Sequence, residues 1–177
     1  GVLEMNKGLH LVDVPQRIAI ISSETAAGFG DFINHLEQNP YGYSFKMELF
    51  QSFMQGEYTS NSIIKALGQI YDLVVEFDAI LIIRGGGAKA ELSAFDDYDL
   101  SFMISQSPIP VLTGIGHERD ESVADLVAWQ AFKTPTAVAD FLIERMANFD
   151  YSMDEMTRKM NLLINAAQSI EKRGLII

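Results

Sequence analysis

Three stretches of the chain carry residue types that can do chemistry. In "TGIGHERDESVAD" (113–125), His117 and Asp120 stand three apart, and Asp125 follows five later. Residues three apart on a helix share a face, so Asp120 can orient His117 and raise its pKa. An imidazole held in that way suits proton transfer to a leaving oxygen. In "RGGGAKAEL" (84–92), Gly85, Gly86 and Gly87 allow backbone amides to turn toward an anion. Arg84 beside them has the planar fork that grips a phosphate through two hydrogen bonds. In "SSETAAGFGD" (22–31), Ser22, Ser23 and Thr25 can donate to phosphate oxygens, and Asp31 interrupts the apolar face of Phe32, Ile33 and Leu36. Together these residues suit phosphodiester chemistry by positioning and electrostatics. Arg84 and the glycine amides hold the phosphate, His117 moves a proton, and Asp120 and Asp31 tune or activate. Glu118 and Asp125 are assigned supporting roles.

Each residue also has a plainer reading. Asp120 can be an N-cap, and His117 a buried turn residue. The serines and Thr25 can cap a helix. Arg84 can sit in a structural ion pair, and the glycines can form a tight turn. Glu118 and Glu121 can be solvated, and Asp125 can pair with Arg119. His10 and His35 read as surface or packing residues. A metal reading for the His and carboxylates is open, but their spacing matches no dedicated metal motif. No Gly-Lys-Ser/Thr phosphate loop, dinucleotide fingerprint or nucleophile elbow is present.

The elements that must position these residues follow from apolar patterning. "RIAII" (17–21), "SFKMELF" (44–50), "AILII" (79–83) and "PVLTGI" (110–115) read as strands. In "TSNSIIKALGQIYDLVVEF" (59–77), Ile63, Ile64, Leu67, Ile70, Tyr71, Val74 and Phe77 recur at helical period. The alternation predicts an α/β fold: a Rossmann-like, mostly parallel sheet of about four strands with helices on both faces. The polar–apolar alternation of "SFKMELF" puts that strand at or near an edge. All three chemical stretches follow a strand, so all three fall on the carboxyl-end rim, where such sheets bind ligands.

The last third changes character. Thr134 is placed to cap a helix, and Pro135 suits its first turn. Apolar residues then repeat in heptads: Ala139, Met146, Met153, Met160 and Ala167 in one series, and Leu142, Phe149, Met156, Leu163 and Ile170 in the other. A helix of roughly 38 residues spans about 57 Å, more than a domain of this size needs. The pattern predicts a coiled-coil helix with an adaptable methionine-rich seam. The expected organisation is a leader over 1–16 from a preceding domain, an α/β core over 17–134, and the start of a long helix over 135–177. "EKRGLII" reads as an interrupted helix and Gly1 as a leftover of expression, so the chain is expected to be a piece.

Composition narrows the function. The 177 residues carry a net charge of −11 and no cysteine. Disulfides and thiolate metal sites are excluded, a reducing compartment fits, and the chain is expected to be cytoplasmic. No apolar run is long enough to span a bilayer. A broad non-specific nucleic-acid surface needs clustered Lys and Arg, so nucleic-acid work here rests on a few local basic groups or on other domains.

"RIAIISSETAAGFGDF", "FMQGEYTSNSIIKAL", "FDAILIIRGGGAKAELSAFDD", "PIPVLTGIGHERDESVADLVAW" and "TPTAVADF" resemble, in order, the large subunit family of exodeoxyribonuclease VII. The likeness covers residues 17 to 141, and the pair R-G-G-G and G-x-G-H-E-x-D is specific. It implies a nuclease that degrades single-stranded DNA from its ends into short oligonucleotides. It implies that Asp31, Arg84, His117 and Asp120 are the catalytic positions. It further implies a preceding oligonucleotide-binding domain and a long coil that carries the small subunits. No metal is strictly required by the resemblance, and Mg2+ is compatible with it. The chain departs from the pattern at Ala88, Lys89, Ala90 and Glu91, where the family has Ser and an acidic pair. It departs again at "WQAFK", where the family carries Asp and Arg, and at Ser122 in place of Thr. These changes bear on substrate grip more than on chemistry.

Two other readings compete. One is a non-catalytic phosphate-binding module that scaffolds an assembly through its coil. The other is a phosphosugar or nucleotide enzyme on the same kind of sheet. Convergence of Asp31, Arg84, His117 and Asp120 favours the nuclease, and a deep closed pocket favours the small-molecule enzyme. The heptads also predict self-association of this chain when a complementary partner is absent.

Overall fold

A computed structural model of the chain describes residues 1–73, 76–85, 92–116 and 121–174. Five parallel strands form one sheet: β1 (Arg17–Ser22), β2 (Lys46–Gln51), β3 (Ala79–Ile83), β4 (Val111–Gly114) and β5 (Gln130–Ala131). Their spatial order is β2-β1-β3-β4-β5. The helices are α1 (Ala27–Glu37), α2 (Thr59–Asp72), α3 (Tyr98–Ser105), α4 (Val123–Val127) and α5 (Pro135–Gly174).

The sheet is dry on both sides because β1 and β3 are continuous β-branched and aliphatic runs. Successive side chains point to opposite faces. Ala19, Ile21, Ile80 and Ile82 therefore join Ile63, Leu67 and Ile70 of α2 and Leu100 and Ile104 of α3 on one face. Ile18, Ile20, Leu81, Ile83 and Leu112 join Phe32 and Leu36 of α1 and Val138, Ala139 and Leu142 of α5 on the other. The strand expected at an edge, β2, is one, and its residues are half-buried or exposed.

Two elements differ from the sequence reading. β5 makes a fifth strand, since Trp129 and Phe132 donate backbone bonds to Val111 and Thr113 and extend the sheet by two residues. α2 ends at Asp72, short of the expected 77. Phe77 still reaches the core, from the turn that leads into β3. Residues 1–16 are anchored to the core. Asn6 is fully buried, accepting from the Val111 amide and donating to the Ile109 carbonyl at 3.1 Å. Arg145 of α5 donates to the carbonyls of Leu11 and Val12.

α5 begins as expected. Thr134 Oγ1 accepts from the Ala137 amide at 3.1 Å, and Pro135 opens the helix. Val138, Ala139, Leu142, Ile143 and Met146 are buried, but every described side chain from Asn148 to Ile170 is exposed. The helix, 40 residues long, spans about 60 Å, so its distal half projects beyond the body.

Candidate active site

The chain leaves β1 toward β2 on one side, then returns past β1 to place β3 on the other. Beyond the carboxyl ends of β1 and β3 the connections diverge, which opens a crevice at this switch point. A cleft of about 590 Å3 lies there, lined by Ser23, Thr25, Ala26, Ala27, Gln51, Ser52, Phe53, Met54, Gln55, Ser62, Arg84 and Gly85. Arg84 is the one charged side chain among the described residues that line it, in a chain of net charge −11.

Arg84 follows the last residue of β3. Its backbone amide continues the ladder to the Gly114 carbonyl at 3.0 Å. Its side chain is 3% exposed, and its Nε donates to the Met54 carbonyl at 3.2 Å. The guanidinium therefore forms part of the cleft floor and braces the β2–α2 connection. That connection is tied from other directions too. The Ser52 amide donates to the Ser22 carbonyl at 2.8 Å, and the Phe53 amide donates to Ser62 Oγ at 3.0 Å. Ser62 in turn donates to the Thr59 carbonyl at 2.9 Å within α2.

The hydroxyls after β1 divide. Ser23 and Thr25 line the cleft and share a hydrogen bond of 3.0 Å. Ser22, expected to reach substrate, does not face the cleft. It is fully buried and donates to the Ile83 carbonyl at 2.7 Å, which ties β1 to β3. Nor do these hydroxyls cap α1: its N-cap is Ala26, with no side-chain bond. The uncapped first turn of α1 presents its positive dipole end beside Ala26 and Ala27 in the cleft wall.

Glycines let the surrounding elements close on this point. A Cβ at Gly28 would stand 2.6 Å from Gly85 Cα and 2.9 Å from Pro135 Cγ. A Cβ at Gly114 would stand 2.8 Å from Val138 Cγ2 and 3.3 Å from Pro135 Cα. The first turns of α1 and α5 thus meet the end of β3 with no room for a side chain between them. Gly116 adopts φ +87°, which turns the chain off β4 beside Lys133 and Arg84.

Asp31 lies one turn into α1 on its exposed side and is not among the residues lining the cleft. His117, Glu118, Asp120, Gly86 and Gly87 lie outside the described residues, as does Arg119. Asp125 is held by structure: it accepts from Thr113 Oγ1 at 2.6 Å and completes a capping box with Ser122. The cap of α4 is therefore Ser122, not Asp120. His35 bonds Asp140 at 2.5 Å and links α1 to α5. Among the described residues, the groups with displaced pKa values stand away from the cleft. Burial pushes Tyr71 up to about 12, and a hydrogen bond to Asp150 does the same to Tyr43. No group of three His, Asp or Glu among the described residues is arranged to hold a metal.

The sequence reading missed Gln51, Ser52, Phe53, Met54, Gln55 and Ser62. They come from the end of the edge strand and the start of α2. Their one available signal was position: β2 also ends on the carboxyl-end rim.

The family model for the large subunit of exonuclease VII matches residues 2–175. Curated proteins named exodeoxyribonuclease 7 large subunit are similar to this chain. One from Campylobacter lari is 34% identical over 161 residues, 90% of this chain and 40% of its own length. One from Nostoc sp. is 39% identical over 148 residues, 83% of this chain and 35% of its own. One from Clostridium tetani is 31% identical over 149 residues, 84% of this chain and 37% of its own. The chain thus spans well under half of these relatives. Rim motifs, a cleft bordered by Arg84 and a match along almost the whole chain agree, and the protein belongs to the exonuclease VII large subunit family.

Proposed function

We propose that this chain is the hydrolytic core of a cytoplasmic nuclease that degrades single-stranded DNA from its ends into short oligonucleotides, in assembly with a small subunit. The observation that carries the reading is the cleft at the switch point, which Arg84 borders together with the Ser23 and Thr25 hydroxyls and the first turn of α1. A guanidinium beside hydroxyls and a helix N-terminus suits a phosphate, and a cleft open to solvent lets the rest of a polymer lie outside it.

In the proposed reaction Arg84 and the Gly85–Gly87 amides hold the scissile phosphate and offset its developing charge. Water attacks phosphorus, the P–O ester bond breaks, and His117 gives a proton to the departing oxygen. Asp120 orients His117, and Asp31, exposed one turn into α1 and outside the described lining of the cleft, is assigned the carboxylate role of taking the water's proton. No metal is required in this scheme, and Mg2+ is an accessory. The projecting half of α5 is the coiled-coil arm that receives the small subunit.

Labelled single-stranded DNA incubated with the full-length protein and small subunit tests the reading, with and without EDTA. Short oligonucleotides released from the ends, in EDTA as in buffer, are expected. Intact DNA under both conditions would leave a phosphate-binding scaffold as the better description.

A further inference from the structure

Among the residues lining the cleft, one large apolar side chain is exposed, and the hydrolytic scheme does not use it. Phe53 lines it and is 62% exposed, although phenylalanine is normally withdrawn from water. Its neighbours behave in the opposite way: Ser52 and Met54 are both buried. The ring is therefore the single residue of this connection that is turned outward between two anchored ones.

Its backbone is fixed on every side. Ser52 is bonded to β1, the Phe53 amide to Ser62 of α2, and the Met54 carbonyl to Arg84. None of these bonds involves the ring, so they hold it in place without consuming it. A rigidly mounted aromatic face loses little freedom when a flat partner stacks on it. Phenylalanine has no polar atom, so hydrogen bonding to a sugar or phosphate is not its use. The chemistry left is stacking on a planar ring, and the proposed substrate carries one on every nucleotide.

We infer that Phe53 is a base-stacking residue: it packs against the nucleobase next to the phosphate held by Arg84. Stacking reads no hydrogen-bond edge, so the contact is indifferent to sequence. It selects for unpaired bases, because a base in a duplex has both faces covered. The inference rests on the nuclease reading and adds a contact that sets the register of the strand.

The test uses the full-length enzyme assembled with its small subunit. Phe53→Ala is expected to raise KM for single-stranded oligonucleotides about tenfold and to change kcat less than threefold. Phe53→Trp should restore KM to within about twofold, and Phe53→Leu, equally apolar but not aromatic, should not. Replacing single nucleotides by abasic residues should weaken binding to the wild type at one position and leave Phe53→Ala unaffected there. Leu working as well as Trp, or equal abasic losses in both proteins, would overturn the inference. So would an unchanged KM in Phe53→Ala. Wild-type enzyme that cuts no single-stranded DNA would instead remove the nuclease reading beneath it.

Discussion

A buried guanidinium is costly unless its donors are met, and Arg84 is 3% exposed at the floor of a solvent-reached cleft. The Met54 carbonyl meets Nε, and the group borders the cleft. Arg84→Ala and His117→Ala in the full-length enzyme should each lower hydrolysis by about 100-fold or more. Arg84→Lys should recover little, since a point charge cannot replace the fork. Near-normal turnover in Arg84→Ala would take that residue out of the mechanism. Gly28 gives a second residue-scale expectation. A methyl group there would overlap the backbone of Gly85, so Gly28→Ala should cost about 2 kcal/mol of stability, measured by urea unfolding. Arg84, Ser23 and Thr25 were legible because each directly follows an obvious strand. Gly28 was not, because a glycine in the first turn of a helix carries no sign of what approaches it. Ser22 was misread because a hydroxyl at a strand end looks the same whether it faces solvent or the neighbouring strand's carbonyl.

At the scale of elements, apolar runs located β1, β3 and β4, because burial on two faces leaves a strong pattern; alternation located β2, and the Thr134–Pro135 pair located the start of α5. β5 left none: two residues, Gln130 and Ala131, are too few to show a period. The end of α2 was placed late because Phe77 keeps the helical spacing while lying outside the helix. The opposite end of the sheet carries its own fastening. Asp78, just before β3, accepts from the amides of Gln16 and Arg17 at 3.0 and 2.8 Å, and from the Arg17 guanidinium. Burial pushes the Asp78 carboxyl upward, but these bonds outweigh it and hold its pKa below the usual range. A depressed folded pKa means that the stabilisation is complete above the unfolded value, about 3.9, and is lost as pH falls through the folded one. Asp78→Asn should therefore unfold about 2 kcal/mol more easily at pH 7. The gap from wild type should close as pH falls below about 4. A gap that widened in acid would contradict this assignment.

Across the whole molecule, charge and shape divide the labour. The body is acidic, and Arg84 is the one cation among the described residues that line its cleft. The far half of α5 exposes Met153, Met156, Met160, Leu162, Leu163, Ile164 and Ile170. An apolar strip of this extent marks an interface. In this chain alone it should drive self-association, visible by sedimentation. Met153→Glu with Met160→Glu should return the chain to a monomer while the body stays folded. A wild-type monomer at high concentration would refute the coiled-coil reading. The heptads made the strip legible, yet they run unbroken through Met146 and could not show where the body ends. Contact with β4 and α1 decides that, and such contact is tertiary.

One consequence follows from α5 having no glycine or proline between Pro135 and Gly174. It is a shaft without a joint. Its near end is wedged against Gly28 and Gly114 at the rim, and its far end stands about 60 Å away. A twist or tilt imposed on the far end has no hinge in which to dissipate. Phase along the shaft is then a heritable quantity. One residue inserted after Ala147 would turn everything beyond it by about 100° and point the apolar strip away from whatever grips it, whereas seven would bring it nearly back into line.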